Sequence, residues 1–188
     1  MEINERGYWE NPTGEGHGVD KSVGNAIATL LKSFPVAPYV IDIGCGDGWY
    51  TKCLNSFGIP TVGYDGNPYT FELCGREPFG IADFSKPQWL GLYDFVLSLE
   101  VGEHIPEEYE DIFLDNLTKH AKYGIIMSWA VPGQGGDGHV NCRSNRYIIN
   151  KMSELGFALN VDRTNYLRNA VTNCYWFADT LMVFEKSL

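Results

Sequence analysis

Long hydrophobic runs are missing from this chain. No apolar stretch approaches the roughly 20 residues needed to span a bilayer, and the polar, acidic start MEINERGYWE is not a secretory leader. Both absences predict a cytoplasmic protein with no membrane partner. Positive charge is scarce, with 14 Lys and Arg against 24 Asp and Glu and a formal net charge of −10. Such a field repels a long polyanion, so nucleic acid is disfavoured and a small molecule is the expected partner. Paired cysteines are lacking too. The 5 cysteines (45, 53, 74, 142 and 174) are scattered with no C-x-x-C, which reads as reduced thiols and argues against a zinc ribbon. There is no repeat, low-complexity tract or long linker, so the 188 residues are expected to form a single domain. Nothing in the sequence bears on oligomeric state.

What is present is a globular composition, 44% hydrophobic and 20% charged, organised around Tyr39–Gly48. Val40 to Ile43 read as a strand buried on both faces, interrupted only by Asp42. It runs into Gly44-x-Gly46-x-Gly48, and Trp49, Tyr50 and Leu54 then begin a helical pattern. Strand, glycine turn and helix bring a ligand close to backbone N–H groups at the carboxyl end of a parallel sheet. Gly44 and Gly46 are expected to leave that approach clear. Asp42 and Asp47 would repel a phosphate and suit a ligand with a cationic group, such as an amino acid moiety.

The rest of the chain alternates between the two periodicities. The lead-in, residues 1–20, carries Trp9, Pro12, His17 and four glycines. It reads either as a lid over a cleft or as a packed or frayed terminus. Asp20 is placed to cap a helix bearing Val23, Ala26, Ile27, Leu30 and Leu31, stopped by Pro35 and Pro38. Thr61–Asp65 is the second strand, and Asp65 follows Gly44 by 21 positions. A carboxylate there can accept hydrogen bonds from both hydroxyls of an adenosine ribose, whichever cofactor carries it, or simply form a turn. A short helix fits between Tyr69 and Cys74, and Gly80–Asp83 is a third strand. Tyr93–Leu99 is the fourth. It leads into a helix bearing Ile105, Tyr109, Ile112, Phe113, Asn116 and Leu117, with Lys119 and Lys122 near its end. Gly124–Trp129 is the fifth strand, followed by the glycine-rich loop Val131–Cys142. Ser144 caps a helix reaching Leu155, closed by Gly156. Two last strand-like runs, Phe157–Val161 and Thr180–Glu185, flank the aromatic Asn173–Phe177. This order predicts a doubly wound, mainly parallel sheet with an antiparallel last pair, residues 36–188 forming its core.

The run VIDIGCGDGWYTKCL resembles the first motif of class I S-adenosylmethionine-dependent methyltransferases, an acidic residue before a G-x-G-x-G turn. The dinucleotide pattern G-x-G-x-x-G would need glycine where Trp49 stands. The resemblance covers roughly residues 40–185 and is strongest at Tyr39–Gly48 and Asp94–Pro106. It implies a seven-stranded Rossmann-like sheet with S-adenosyl-L-methionine as cofactor. It further implies a cofactor wall of Asp42, Gly44, Cys45, Gly46, Asp65, Gly66, Asp83, Phe84, Leu99 and Glu100, with Asp83-Phe84 beside the adenine.

After the fourth strand come Glu100, Glu103 and His104, which share one face if a helical turn begins there. With His139 from the loop they are candidate ligands for Mg²⁺ or Mn²⁺, which would lower the pKa of a substrate hydroxyl. Glu-x-x-Glu-His with a distant His is similar to the metal-dependent small-RNA 2′-O-methyltransferases, and its core to the ubiquinone-pathway O-methyltransferases. Related sequences with E-H-I or E-H-V here use no metal. In that alternative Glu103 supports local packing, and His104 or His139 is the catalytic base. The PGQGGDGHVN stretch resembles loops of methyltransferase-domain proteins of unassigned substrate, some encoded near sugar-modifying genes, which points to a small hydroxylated acceptor. Trp129, Gln134 and Asn141 are expected to offer stacking and hydrogen bonds to it. The function expected is methyl transfer to a hydroxyl, with an amine next in line. The rivals are an NAD-linked oxidoreductase and a non-catalytic cofactor-binding partner subunit.

Overall fold

The computed structural model describes residues 3–10, 12–13 and 18–187. His17, part of the expected lid, lies outside them. Seven strands form one sheet: β1 (Val40–Ile43), β2 (Thr61–Asp65), β3 (Phe79–Ile81), β4 (Tyr93–Ser98), β5 (Ala121–Met127), β6 (Phe157–Leu159) and β7 (Met182–Lys186). Their order is β3-β2-β1-β4-β5-β7-β6. The first five are parallel, and β7 runs antiparallel between β5 and β6. Register is set at the centre, where Val40 faces Thr61 on one side and Phe95 on the other.

Alternation along the strands divides the core into two layers. Ile41, Ile43, Val96, Ile125 and Met127 pack on α4 (Glu110–His120) and α5 (Asn145–Glu154) through Phe113, Leu117, Ile148 and Met152. Val40, Phe95, Leu97 and Ile126 pack on α1 (Lys21–Lys32), α2 (Trp49–Ser56) and α6 (Val161–Arg168) through Ile27, Leu31, Leu54 and Leu167. Helices on both faces of a largely parallel sheet are the doubly wound arrangement the alternation predicts.

The caps form as read. Asp20 accepts from the Ser22 and Val23 amides, and Ser144 from the Tyr147 amide. Asp20 does more, also accepting from the amides of Thr172, Asn173 and Cys174 and so tying the start of α1 to a distant loop. Elsewhere the expected elements shift. Val161 begins α6 instead of ending a strand, because the Asn160 side chain caps it by accepting from the Arg163 amide. α6 buries only Thr164 and Leu167, too few apolar positions to show a period. Phe177–Thr180 is a short helix, α7, so the last strand starts at Met182. α3 (Thr70–Cys74) is short, as the spacing required. α4 starts at Glu110, after 3₁₀ turns at Gly102–His104 and Glu107–Tyr109 separated by Pro106. It ends at His120, so Lys122 lies in β5 and does not meet the dipole of α4.

Candidate active site

The carboxyl ends of β1, β2, β3 and β4 meet where the strand order reverses, the usual place for a ligand in an open α/β sheet. A cleft of about 310 Å³ opens there. All ten residues proposed from the sequence as its cofactor wall line it: Asp42, Gly44, Cys45, Gly46, Asp65, Gly66, Asp83, Phe84, Leu99 and Glu100. The glycine turn is held from β2, where the Asp65 carboxylate accepts from the Gly46 amide at 2.8 Å and from the Asn67 amide at 2.9 Å. Gly46 has a φ of 56°, in the region that favours glycine. Gly44 makes room for protein as well as lining the cleft. A Cβ there would lie 2.4 Å from a Val101 methyl.

The two aspartates beside the turn are occupied by protein as well as facing the cleft. Asp47 accepts from the Trp49 amide and starts α2. Asp42 is buried and accepts from the Thr51 hydroxyl at 2.7 Å. Burial pushes its carboxyl up to about 7, against the Thr51 hydrogen bond and with added repulsion from Asp65 and Asp47. Asp83 accepts from the Ser85 amide and hydroxyl, and its other oxygen lies 3.2 Å from the Lys86 ammonium.

Part of the lead-in covers this cleft. Arg6, Gly7, Tyr8 and Trp9 line it. Tyr8 packs where a Cβ on Gly66 would stand, and Trp9 meets the His104 ring edge-on at 5.6 Å. Residues 6–9 are therefore packed into the cleft wall.

Beyond the turn, the fourth strand ends on Glu100 at a φ of 53°, the only non-glycine residue with positive φ among those described. This left-handed residue precedes the 3₁₀ turn, so Glu100 does not share a helical face with Glu103 and His104. Its carboxylate instead accepts from Gln134 Nε2 at 2.8 Å and from the Thr180 hydroxyl. Glu103, His104 and His139 do converge, with one ligand atom of each within 4.8 Å of the others. Glu103 is fully buried, and neither of its carboxylate oxygens makes a hydrogen bond of ordinary geometry among the described residues. Burial, reinforced by the Glu100 carboxyl, drives its pKa well up. Burial also raises Glu100, where hydrogen bonds from Ser128, Gln134 and Glu103 oppose it. His139 Nδ1 lies 3.2 Å from the Gln134 carbonyl oxygen. A carbonyl only accepts, so this contact assigns the proton to Nδ1 and leaves the Nε2 lone pair 4.0 Å from Glu103 Oε1.

Two residues expected to meet a substrate do not face the cleft. Trp129 is fully buried and donates its indole N–H to the Asn141 carbonyl at 2.7 Å, while the Asn141 side chain donates to Glu110. Gln134 does line the cleft. The sequence reading missed Glu110, a buried carboxylate that accepts from Asn141, from Arg143 Nε at 2.8 Å and from the Tyr147 hydroxyl. Burial alone would raise its pKa, but the Tyr147, Arg143 and Asn141 hydrogen bonds outweigh that and hold it low. With the Val140 and Asn141 amides donating to the Glu103 carbonyl, this network pins the glycine-rich loop beside His139. An acidic residue in a first helical turn looks like an ordinary dipole partner, so no sequence signal marked it.

A family model described as a methyltransferase domain matches residues 16–160. The chloroplastic tocopherol O-methyltransferase of Arabidopsis thaliana is 31% identical over 105 residues, 48% of this chain and 30% of that protein. A probable tocopherol O-methyltransferase of Oryza sativa subsp. japonica is 30% identical over 105 residues, covering 48% and 28%. The chain thus spans less than a third of the length of these curated relatives. Among solved structures, magnesium protoporphyrin IX methyltransferase from Synechocystis, with bound SAH, aligns at a TM-score of 0.66 and 20% identity over 87% of this chain and 82% of that one. A sugar N-methyltransferase from Streptoalloteichus aligns at 0.71 and 12% identity over 100% and 99%. At such identities these structures bear on fold alone.

Proposed function

We propose that this chain, which belongs to the methyltransferase-domain family, moves the methyl group of S-adenosylmethionine to a hydroxyl of a small molecule held beside Glu103, His104 and His139. The observation that carries the proposal is one continuous cleft. Its Asp65 side suits a ribose, and its far end holds an imidazole with a defined free nitrogen. Methyl transfer is an in-line displacement at a sulfonium carbon, so positioning and exclusion of water are the protein's main tasks. A hydroxyl acceptor must also lose its proton, and His139 Nε2 is the group poised to take it. The cleft wall carries Asp42, Asp47, Asp65, Asp83, Glu100 and Asp137, with Arg6 the one arginine or lysine among the described lining residues. That balance supports a neutral or cationic acceptor over a phosphorylated one. The tocopherol relatives are O-methyltransferases by name, which fits a hydroxyl. We assign residues 36–188 as the catalytic core and residues 3–10 as its lid. No described helix is long and apolar enough to cross a membrane.

A second reading adds a divalent cation held by Glu103, His104 and His139. It is favoured by the fully buried Glu103 carboxyl, whose oxygens find no hydrogen bond of ordinary geometry among the described residues, since a cation would pair the charge that burial now disfavours. The His139 proton given to a backbone carbonyl is also how a metal-ligating imidazole is commonly oriented. When bound, Mg²⁺ or Mn²⁺ would lower the pKa of the acceptor hydroxyl. The test is transfer from methyl-labelled S-adenosylmethionine to pools of hydroxylated and amine-bearing small molecules, with and without EDTA. Labelled product lost on chelation and restored by Mn²⁺ supports the cation. Full activity in EDTA leaves His139 as the base. Cofactor binding without turnover on any pool would indicate a non-catalytic partner subunit.

A further inference from the structure

We infer that Cys45 and Cys74 are a paired modification site, two thiols that an oxidant joins into a disulfide and that thereby close the cofactor cleft to its ligand. The consequence for binding rests on the cofactor reading above; the bond itself does not. Cys45 is the middle residue of the Gly44–Gly46 turn and lines the cleft. Cys74, the last residue of α3, sends its thiol to the Gly46 carbonyl at 3.2 Å. The two cysteines and Phe79 make up a small buried apolar cluster apart from the two main cores, and Cys74 reaches the residue next to Cys45 in the turn. None of the other cysteines joins them. Cys53 lies against Gly24, Cys142 beside His139, and Cys174 in the core layer of α1.

The chemistry balances with a peroxide as oxidant. One thiolate attacks hydrogen peroxide, the O–O bond breaks, hydroxide leaves, and the sulfur becomes a sulfenic acid. The second thiolate then attacks that sulfur, forming the S–S bond as hydroxide leaves and takes up a proton to give water. Cys74 is the better first nucleophile: the neighbouring Cys45 thiol lowers its pKa, burial opposes this, and the Lys52 charge helps. Cys45 lines the cleft, so bound cofactor should shield its sulfur from the bond.

Forming the bond withdraws the Cys74 thiol from the Gly46 carbonyl. It also pulls Cys45 toward α3, turning the peptide whose Gly46 amide is held by Asp65. The cleft wall and the ribose carboxylate are therefore disturbed together.

The experiment treats the full chain with stoichiometric hydrogen peroxide, then maps its peptides by mass spectrometry and titrates S-adenosylhomocysteine by calorimetry. The expected result is a Cys45–Cys74 linked peptide lighter by two hydrogens and a loss of affinity of about tenfold or more, both reversed by dithiothreitol. Formation should be slower with S-adenosylhomocysteine present. Cys74→Ser keeps a donor for the Gly46 carbonyl, so it should bind as the reduced wild type does and ignore peroxide. Any other linkage, or oxidation of either thiol without a bond between them, overturns the proposal. So does a mapped Cys45–Cys74 bond that leaves affinity unchanged. Reduced protein that binds no S-adenosylhomocysteine would overturn the cofactor reading, while the mapping still decides whether the bond forms.

Discussion

Asp65 ties the glycine turn to β2 and lines the cleft, so in the proposed function one carboxylate serves both shape and binding. Charge-assisted hydrogen bonds are worth about 1.5–3 kcal/mol. Asp65→Ala is therefore expected to weaken S-adenosylhomocysteine binding by roughly 10- to 150-fold in calorimetry. Asp42 makes a prediction in pH. Burial holds its folded carboxyl at about 7, while the unfolded one titrates near the ordinary aspartate value of 3.8. Between those values the folded state holds a proton that the unfolded state lacks. Stability is thus lost as pH rises from about 4 to 7, by a total on the order of 4 kcal/mol. Urea denaturation of Asp42→Asn should show a gain over wild type at pH 8 that shrinks at pH 5, and an equal difference at both would contradict this account. Asp42, Asp65 and Glu103 were legible as single residues because each follows a strand or belongs to a known motif. Glu100 and Trp129 were misread for want of facts that spacing does not carry. The positive φ at Glu100 breaks the helical face, and the bond from Trp129 to Asn141 turns a candidate stacking ring into core.

At the scale of elements, the glycine-rich loop is positioned by the first residue of α4. Glu110→Ala would remove the shared acceptor of Asn141, Tyr147 and Arg143 Nε, leaving Arg143 only Glu107. The expected cost is about 1–3 kcal/mol, the range for leaving buried hydrogen-bonding groups unpaired. Hydrogen exchange in residues 131–142 should rise while cofactor affinity, carried by β1 and β2, holds. The Glu110 carboxyl titrates below its ordinary value, so this contribution is present above the unfolded pKa and lost as pH falls through the folded one. Strands β1 and β2 were readable to the residue because proline precedes and glycine follows each, with Pro38 and Gly44 around β1 and Pro60 and Gly66 around β2. α6 was not, because VDRTNYLR is polar on most faces and its start depends on Asn160 closing one amide.

At the scale of the molecule, one cleft at the carboxyl edge of a seven-stranded sheet runs from the glycine turn to the glycine-rich loop, with residues 6–9 also lining it. In the function proposed above this cleft takes S-adenosylmethionine and not a dinucleotide, since Trp49 occupies the place of the third dinucleotide glycine. Titration calorimetry of the reduced wild-type chain with S-adenosylmethionine and, separately, with NAD tests it most directly. The account predicts saturable binding of one S-adenosylmethionine per chain and no heat of binding with NAD. Binding of NAD, or a folded chain that takes up no S-adenosylmethionine, would contradict it.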